Sequence, residues 1–233
     1  MWDGRFEFGE GWAVYRGRSD ATSPHRHAAI QIAIAEEGEI ALRGAQGEVR
    51  GRAVAVPPME RHEFLPFRHV VTAFYIEAEA PMGRALRRDL GTSLTRLPEL
   101  FERALRSENL ARGIARLAEV LGVSETEPID PRLLAALAFL RSSPGAPGAV
   151  GRAAETAGLS APRLRELAQA ELGVALSQWL LWQKLGRASR ALMSGAGLAE
   201  AAMDGGFSDQ AHFARTMKRM FGVTPGVAVA TLA

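Results

Sequence analysis

Residues 205–225, GGFSDQAHFARTMKRMFGVTP, carry the cations Arg215, Lys218 and Arg219 together with Phe213, Met217 and Phe221 at four-residue spacing. On a helix an i, i+4, i+8 series forms one stripe, so the two aromatics and the methionine are expected to be buried as core. The opposite face is then made by Ala211, Arg215 and Lys218, flanked by Arg219 and His212, with Gln210 in the first turn. That face is basic and rich in hydrogen-bonding groups. Ser208 is expected to cap the helix, and the N-terminal amides beyond it favour a phosphate, so that Arg215 and Gln210 reach base edges.

Working outward, residues 152–173, RAAETAGLSAPRLRELAQAELG, repeat the same plan: a short Ala-rich helix, a glycine turn, a serine cap and a longer helix. Ala154, Gly158 and Leu164 supply the small residue at the helix crossing, the turn residue free to take positive φ, and the apolar anchor of a helix-turn-helix. Ala202, Gly206 and Phe213 do the same in the second motif. The first motif's second helix buries Leu164, Ala168 and Leu172 and turns out Pro162, Glu166 and Gln169, with Arg163 and Arg165 at the sides. A helix over 175–193 between the motifs would be about 27 Å long, comparable with the roughly 34 Å turn of B-DNA. Helices are expected at 131–142, 149–157, 161–172, 175–193, 198–204 and 209–221. SETEPIDP (124–131), with its charges and two prolines, marks the expected linker.

Composition agrees with a two-domain globular chain: 233 residues, 47% hydrophobic and 23% charged. Cysteine is absent, which excludes disulfides, thiolate zinc sites and cysteine nucleophiles. No apolar run approaches eighteen residues and MWDGRFEFGEGW lacks an export leader, so no membrane association is expected and the expected location is the cytoplasm. Residues 1–127 hold 17 Lys/Arg against 19 Asp/Glu, whereas residues 128–233 hold 11 against 7, so the basic excess is C-terminal and suits a polyanion.

The first 80 residues have strand character in AIQIAIA, GEIALRG, GRAVAVP and HVVTAFYIEA, which predicts a β-barrel or sandwich. From about residue 81 the period becomes helical. Leu110, Ile114, Leu117 and Leu121 then form a narrow apolar stripe suited equally to packing on the barrel and to a homodimer interface. Alternation along a strand points His25 and His27 the same way, and a neighbouring strand can bring His62 beside them, so three imidazoles and the Gln31 amide can converge. Such a set suits Zn, Ni, Mn or Fe. It equally suits an organic effector hydrogen-bonded by the imidazoles, or a purely structural cluster. Trp12, Phe64, Phe74 and Tyr75 suit the lining of the barrel, and suit its ordinary core better.

GFSDQAHFARTMKRMFGVTP (206–225) and QWLLWQKLGRASRALM (178–193) resemble the signature and linker helix of the AraC/XylS family of bacterial transcription regulators. The resemblance covers the C-terminal hundred residues and implies that Gln210, His212, Arg215 and Lys218 in the second motif, and Pro162, Arg163, Arg165 and Glu166 in the first, face DNA. Glu166, Gly186 and the terminal VAVATLA depart from the family pattern. HRHAAIQIAIAEEG (25–38) and GRAVAVPPMERH (51–62) resemble the two cupin motifs, with Gln31 at the usual Glu, Met59 at a usual Gly and Pro66 at the usual Asn.

The expected fold is therefore α+β in two domains. Residues 1–127 are a cupin-like β-barrel with helices over about 81–123, and residues 128–233 an all-α domain of two helix-turn-helix motifs joined by a linker helix. The expected function is sequence-specific regulation of transcription, as a homodimer on double-stranded DNA, in answer to a small molecule or metal ion, with RNA polymerase a further partner. The alternative is a metal-dependent cupin enzyme fused to a DNA-binding module; no catalytic acid or base stands out for it.

Overall fold

The computed structural model describes residues 3–105, 109–123, 129–142 and 144–224, with only the backbone of residues 3, 89 and 110. Contacts divide the chain into two compact units, residues 1–125 with 218–233, and residues 126–217.

The first unit is built on two antiparallel sheets. Strands β1 (Asp3–Gly9), β2 (Trp12–Arg18), β3 (Ile30–Ala35), β6 (Ala53–Val56), β8 (Val70–Ile76) and β9 (Thr95–Arg96) form one sheet in the order β1-β2-β8-β3-β6-β9. Strands β4 (Ile40–Gly44), β5 (Gly47–Gly51) and β7 (Glu63–Phe64) form the other, in the order β5-β4-β7. β3 is buried along its whole length and lies between β8 and β6, which is why IQIAIA reads as a continuous apolar run.

Its two faces differ. Ile30, Ile32 and Ile34, with Phe74 and Ile76 of β8, belong to a core shared with Leu86, Leu105, Ile114 and Leu117. Those last four come from α1 (Pro81–Asp89), α2 (Glu99–Leu105) and α3 (Leu110–Val120). The alternate positions, Gln31 opposite Tyr75 and Ala33 opposite Ala73, project to the other face of the sheet.

Of the two roles expected of the α3 stripe, packing on its own sheet is the one the contacts support. Leu117 is wholly buried, Ile114 nearly so, and Leu121 packs against the same core, while the Leu110 side chain lies outside the described residues. Burying one such side chain is worth about 1.5–3 kcal/mol, and here its own sheet supplies the covering surface. The outward face of α3 is Ala111, Arg112, Ala115, Arg116 and Glu119, a solvated surface.

In the second unit α4 (Pro131–Ser142), α5 (Ala149–Thr156), α6 (Ala161–Leu172), α7 (Leu176–Met193) and α8 (Leu198–Asp204) fall close to the expected segments. α9 (Gln210–Phe221) begins in this unit, with residues from 218 onward counted in the first. The two turns form as the residue types require, with Gly158 at φ 64° and Gly206 at φ 75°. Ala154, Leu164, Ala202 and Phe213 are at most 1% exposed. Lys184 of α7 donates to the Gly206 carbonyl at 2.9 Å and so ties the long helix to the second turn.

Candidate DNA-binding surface and buried histidine cluster

The outward edges of α6 and α9 carry the residues expected to meet DNA. Pro162, Arg163, Arg165 and Glu166 on α6, and Gln210, Arg215 and Lys218 on α9, are exposed; His212 is half-buried. The apolar stripes are turned inward: Leu164, Ala168 and Leu172 are wholly buried, and Phe213 and Met217 are 0% and 6% exposed. Phe221 departs from this pattern. It is half-buried and belongs to the first unit, where its ring centroid lies 5.5 Å from that of Tyr75.

Two local charges modify the surface. On α6 the Arg163 guanidinium lies 3.1 Å from the Glu166 carboxylate, an exposed i, i+3 pair that partly neutralises one of the two arginines there. On α9 the cap is Asp209 rather than Ser208: the His212 amide donates to Asp209 Oδ1 at 2.7 Å, and Ser208 Oγ donates to Asp209 Oδ2 at 3.0 Å. The His212 amide, then the Ser208 hydroxyl, hold the Asp209 carboxyl below its ordinary pKa. A carboxylate therefore already occupies the positive end of α9, so a phosphate at that end would meet a like charge.

In the first unit the structure brings His25, His27, Gln31 and His62 together. All are buried, at 4%, 1%, 0% and 1% exposed, and none belongs to the hydrophobic core cluster of Ile30, Ile32 and Phe74. His25 and His62 face each other across an antiparallel bridge in which each backbone amide donates to the other's carbonyl, at 2.8 and 2.9 Å. The three histidines each offer one ring nitrogen, and these atoms all lie within 4.8 Å of one another. Among the described residues this group contains no carboxylate.

The second ring nitrogens are held alike. Nδ1 of His25, His27 and His62 lies 2.9 Å from the backbone oxygen of Ser23, Ala29 and Glu60 respectively. On the inner side, Nε2 of His27 and of His62 lie 3.1 and 3.0 Å from Gln31 Oε1, and Gln31 Nε2 is 3.5 Å from the Tyr75 hydroxyl. Burial, and then the neighbouring His27, push His25 down to a pKa of about 3. Burial also lowers His27, and burial together with the charges of His25 and His27 takes His62 well below 6.5. At neutral pH the cluster is uncharged. Burial, and after it Tyr15, raise the Tyr75 pKa, so its phenol keeps its proton.

Three features escaped sequence reasoning. Tyr75 stands out only as an apolar barrel residue, but the β3–β8 register places it directly opposite Gln31. Met59, where the cupin pattern has glycine, adopts φ 65°, alone in that region among the described non-glycine residues. The pairing of β1 and β2 was also unassigned, because charges and aromatics in DGRFEFG alternate without the aliphatic run that marks the central strands.

Residues 153–230 match the family model described as a helix-turn-helix domain. No curated protein matches the chain. Among solved structures, a single-substitution variant of ToxT from Vibrio cholerae, in its apo form, aligns with 97% of this chain and 100% of its own at 9% identity and a TM-score of 0.65. Wild-type ToxT from the same organism, bound to an unsaturated fatty acid, covers 100% of this chain and 98% of its own at 12% identity and a TM-score of 0.60. Those identities show the fold alone. An AraC-type DNA-binding domain-containing regulator from Chromobacterium violaceum is 27% identical over 44% of this chain and 93% of its own, with a TM-score of 0.41. No described helix is long and apolar enough to cross a membrane.

Proposed function

We propose that the chain is an AraC/XylS-type transcriptional regulator, which reads double-stranded DNA through the exposed edges of α6 and α9 while the histidine cluster of its β-barrel receives the effector. The observation that carries the DNA-binding assignment is the second motif. Its signature residues bury Phe213 and Met217, and its Gln210, Arg215 and Lys218 face solvent on one helix. Arg215 is the base-reading candidate, with Gln210 and His212 beside it and Lys218 directed at phosphate. Pro162, Arg163, Arg165 and Glu166 make the first motif a weaker contributor, since Glu166 both pairs with Arg163 and repels phosphate.

The barrel is proposed as the sensor on two grounds: its buried cluster of three histidines and a glutamine, and the similar fold of ToxT, which is bound to an unsaturated fatty acid in one of its structures. For ligation to matter, the effector must bind the DNA-competent state with a free energy different from that for the other state. A homodimer and contact with RNA polymerase complete the proposal. The dimer would have to use a surface other than the buried α3 stripe.

The test begins with a duplex selected from random DNA by the purified full chain. At fixed salt, Arg215→Ala is expected to weaken that duplex by about 1–3 kcal/mol and to relax preference at one base position; Lys218→Ala should lower affinity for all sequences and shallow the salt dependence. Unchanged affinity in both variants would remove α9 as the reading helix.

A further inference from the structure

Resting on the homodimer assigned above, we propose that two copies of the chain join through strand β1. The two strands run antiparallel about a two-fold axis at Phe6, so that Arg5 of each copy lies opposite Glu7 of the other and one sheet runs through both.

β1 is the end strand of the six-stranded sheet and the longest end strand of the first unit, seven residues against five in β5 and two each in β7 and β9. It pairs with β2 over its whole length with no bulge, and its sequence, DGRFEFG, contains no proline or lysine. Bulges, prolines, lysines and short strands are the usual means of closing a sheet edge to another chain. β1 uses none of them.

The turn fixes which backbone groups face outward. Two residues, Glu10 and Gly11, separate the paired positions Gly9 and Trp12, and such a tight turn closes on a hydrogen-bonded pair. Bonded and non-bonded pairs then alternate along an antiparallel ladder. Arg5, Glu7 and Gly9 thus exchange hydrogen bonds with β2, while the amides and carbonyls of Gly4 and Phe6 point away from it.

The side chains select the register. A two-fold axis at Phe6 is also the midpoint of Asp3–Gly9, so the whole strand overlaps its copy. Phe6 then exchanges two hydrogen bonds with Phe6 of the second copy, and Gly4 lies opposite Phe8. Moving the axis by one residue sets Arg5 against Arg5 or Glu7 against Glu7. Directly opposed like charges destabilise a sheet, whereas opposed unlike charges stabilise it.

Within one chain Arg5 is poorly matched. Its neighbour across the ladder is Arg16, which is taken by Glu36 at 2.6 Å. Its own contact with Glu7, two positions along the same strand, is a loose 3.8 Å. On β5 the comparable pair, Glu48 and Arg50, is already closed at 2.5 Å. The second copy brings each Arg5 a carboxylate from directly across the strand. On the other face, Phe6 is half-buried with its ring centroid 5.0 Å from that of Tyr15, and the two Phe6 rings cover each other. A strand with the same alternation of charge and aromatic, read in reverse, satisfies all of this, and the chain's own β1 is such a strand.

The test is a charge exchange in the full chain, read by sedimentation. Arg5→Glu leaves two acids on the edge and Glu7→Arg leaves two arginines, so each variant alone should dimerise about tenfold more weakly than the unaltered chain. Mixed in equal amounts, the two variants should form a heterodimer at close to the original affinity, because both cross-strand pairs are again opposite in charge. The doubly exchanged chain should dimerise with itself. Hydrogen exchange supplies a second readout: the Phe6 amide should become protected as the concentration of unaltered chain rises. Circular dichroism identifies any variant that fails to fold, and the exchange measurement on the unaltered chain keeps the test open in that event. A dimer indifferent to both substitutions, or a mixture no more dimeric than its components, overturns the β1 interface and leaves the homodimer standing. Phe6 protection that appears only when another protein is added overturns self-pairing. A chain monomeric both alone and on its selected duplex overturns the homodimer as well.

Discussion

At the scale of single residues, Met59 shows how a departure from a motif can keep the motif's backbone. The Glu60 amide donates to Pro57 at 3.3 Å across a turn with Pro58 and Met59 in its centre, and Met59 takes φ 65° at the position where a type II turn favours glycine. The turn matters to the site because the Met59 amide donates to the His27 carbonyl at 2.8 Å, and the next residue, Glu60, accepts from His62 Nδ1. The expected outcome for Met59→Gly is a gain in stability of under about 1 kcal/mol, the relief of left-handed strain being offset by the freer unfolded chain. Met59→Val, β-branched at positive φ, should lose about 1 kcal/mol or more. Thermal melts of the two variants check the opposite signs. The sequence identified the position but not the strain, because which residue takes positive φ depends on how the segments carrying His27 and His62 meet.

The α9 cap teaches the same lesson in smaller form. Ser208 and Asp209 are adjacent candidates, and a helix that begins at Gln210 makes Asp209 the flanking residue. Its ionised carboxylate then accepts more strongly from the free amides than a hydroxyl does.

At the scale of elements, helices were far more legible than strands. The six C-terminal helices could be placed to within a residue or so, because each combines a 3.6-residue apolar period with a glycine or proline boundary. The α3 stripe was equally visible, but periodicity says only that a face is covered, not by what. Its burial against β3 and β8 changes the meaning of Leu117→Glu. That substitution places a charge in a fully buried site. The expected result is loss of the first unit's folded structure, visible as a lowered or missing transition in calorimetry. A folded chain that merely sediments as a smaller species would restore the stripe as a subunit interface.

At the scale of the whole molecule, the titratable cluster lies in one unit only, which predicts unequal responses to acid. His25 titrates near 3 when folded against 6.5 ordinarily, and His27 and His62 shift in the same direction. Between those values the unfolded chain holds protons that the folded unit excludes. The stabilisation is therefore complete above about pH 6.5 and is lost as pH falls toward 3, with a slope of up to about 1.4 kcal/mol per pH unit for each histidine. Calorimetry of the chain between pH 7 and 4.5 should show the transition of the first unit moving down steeply and that of the second moving less. Two transitions shifting in parallel would mean that the histidines do not control the first unit's acid response.

Local chemistry settled the C-terminal half by itself. A helix satisfies its hydrogen bonds within four residues, so spacing, turn glycines and the outward placement of Arg215 and Lys218 could be read along the chain. The three-dimensional fold alone decided that His25 and His62, 37 positions apart, would bridge. It also decided that Tyr75 would stand opposite Gln31, and that α3 would spend its apolar face on its own sheet. Strand pairing joins residues distant in sequence, and which partners meet depends on the register of the entire sheet rather than on any segment of it.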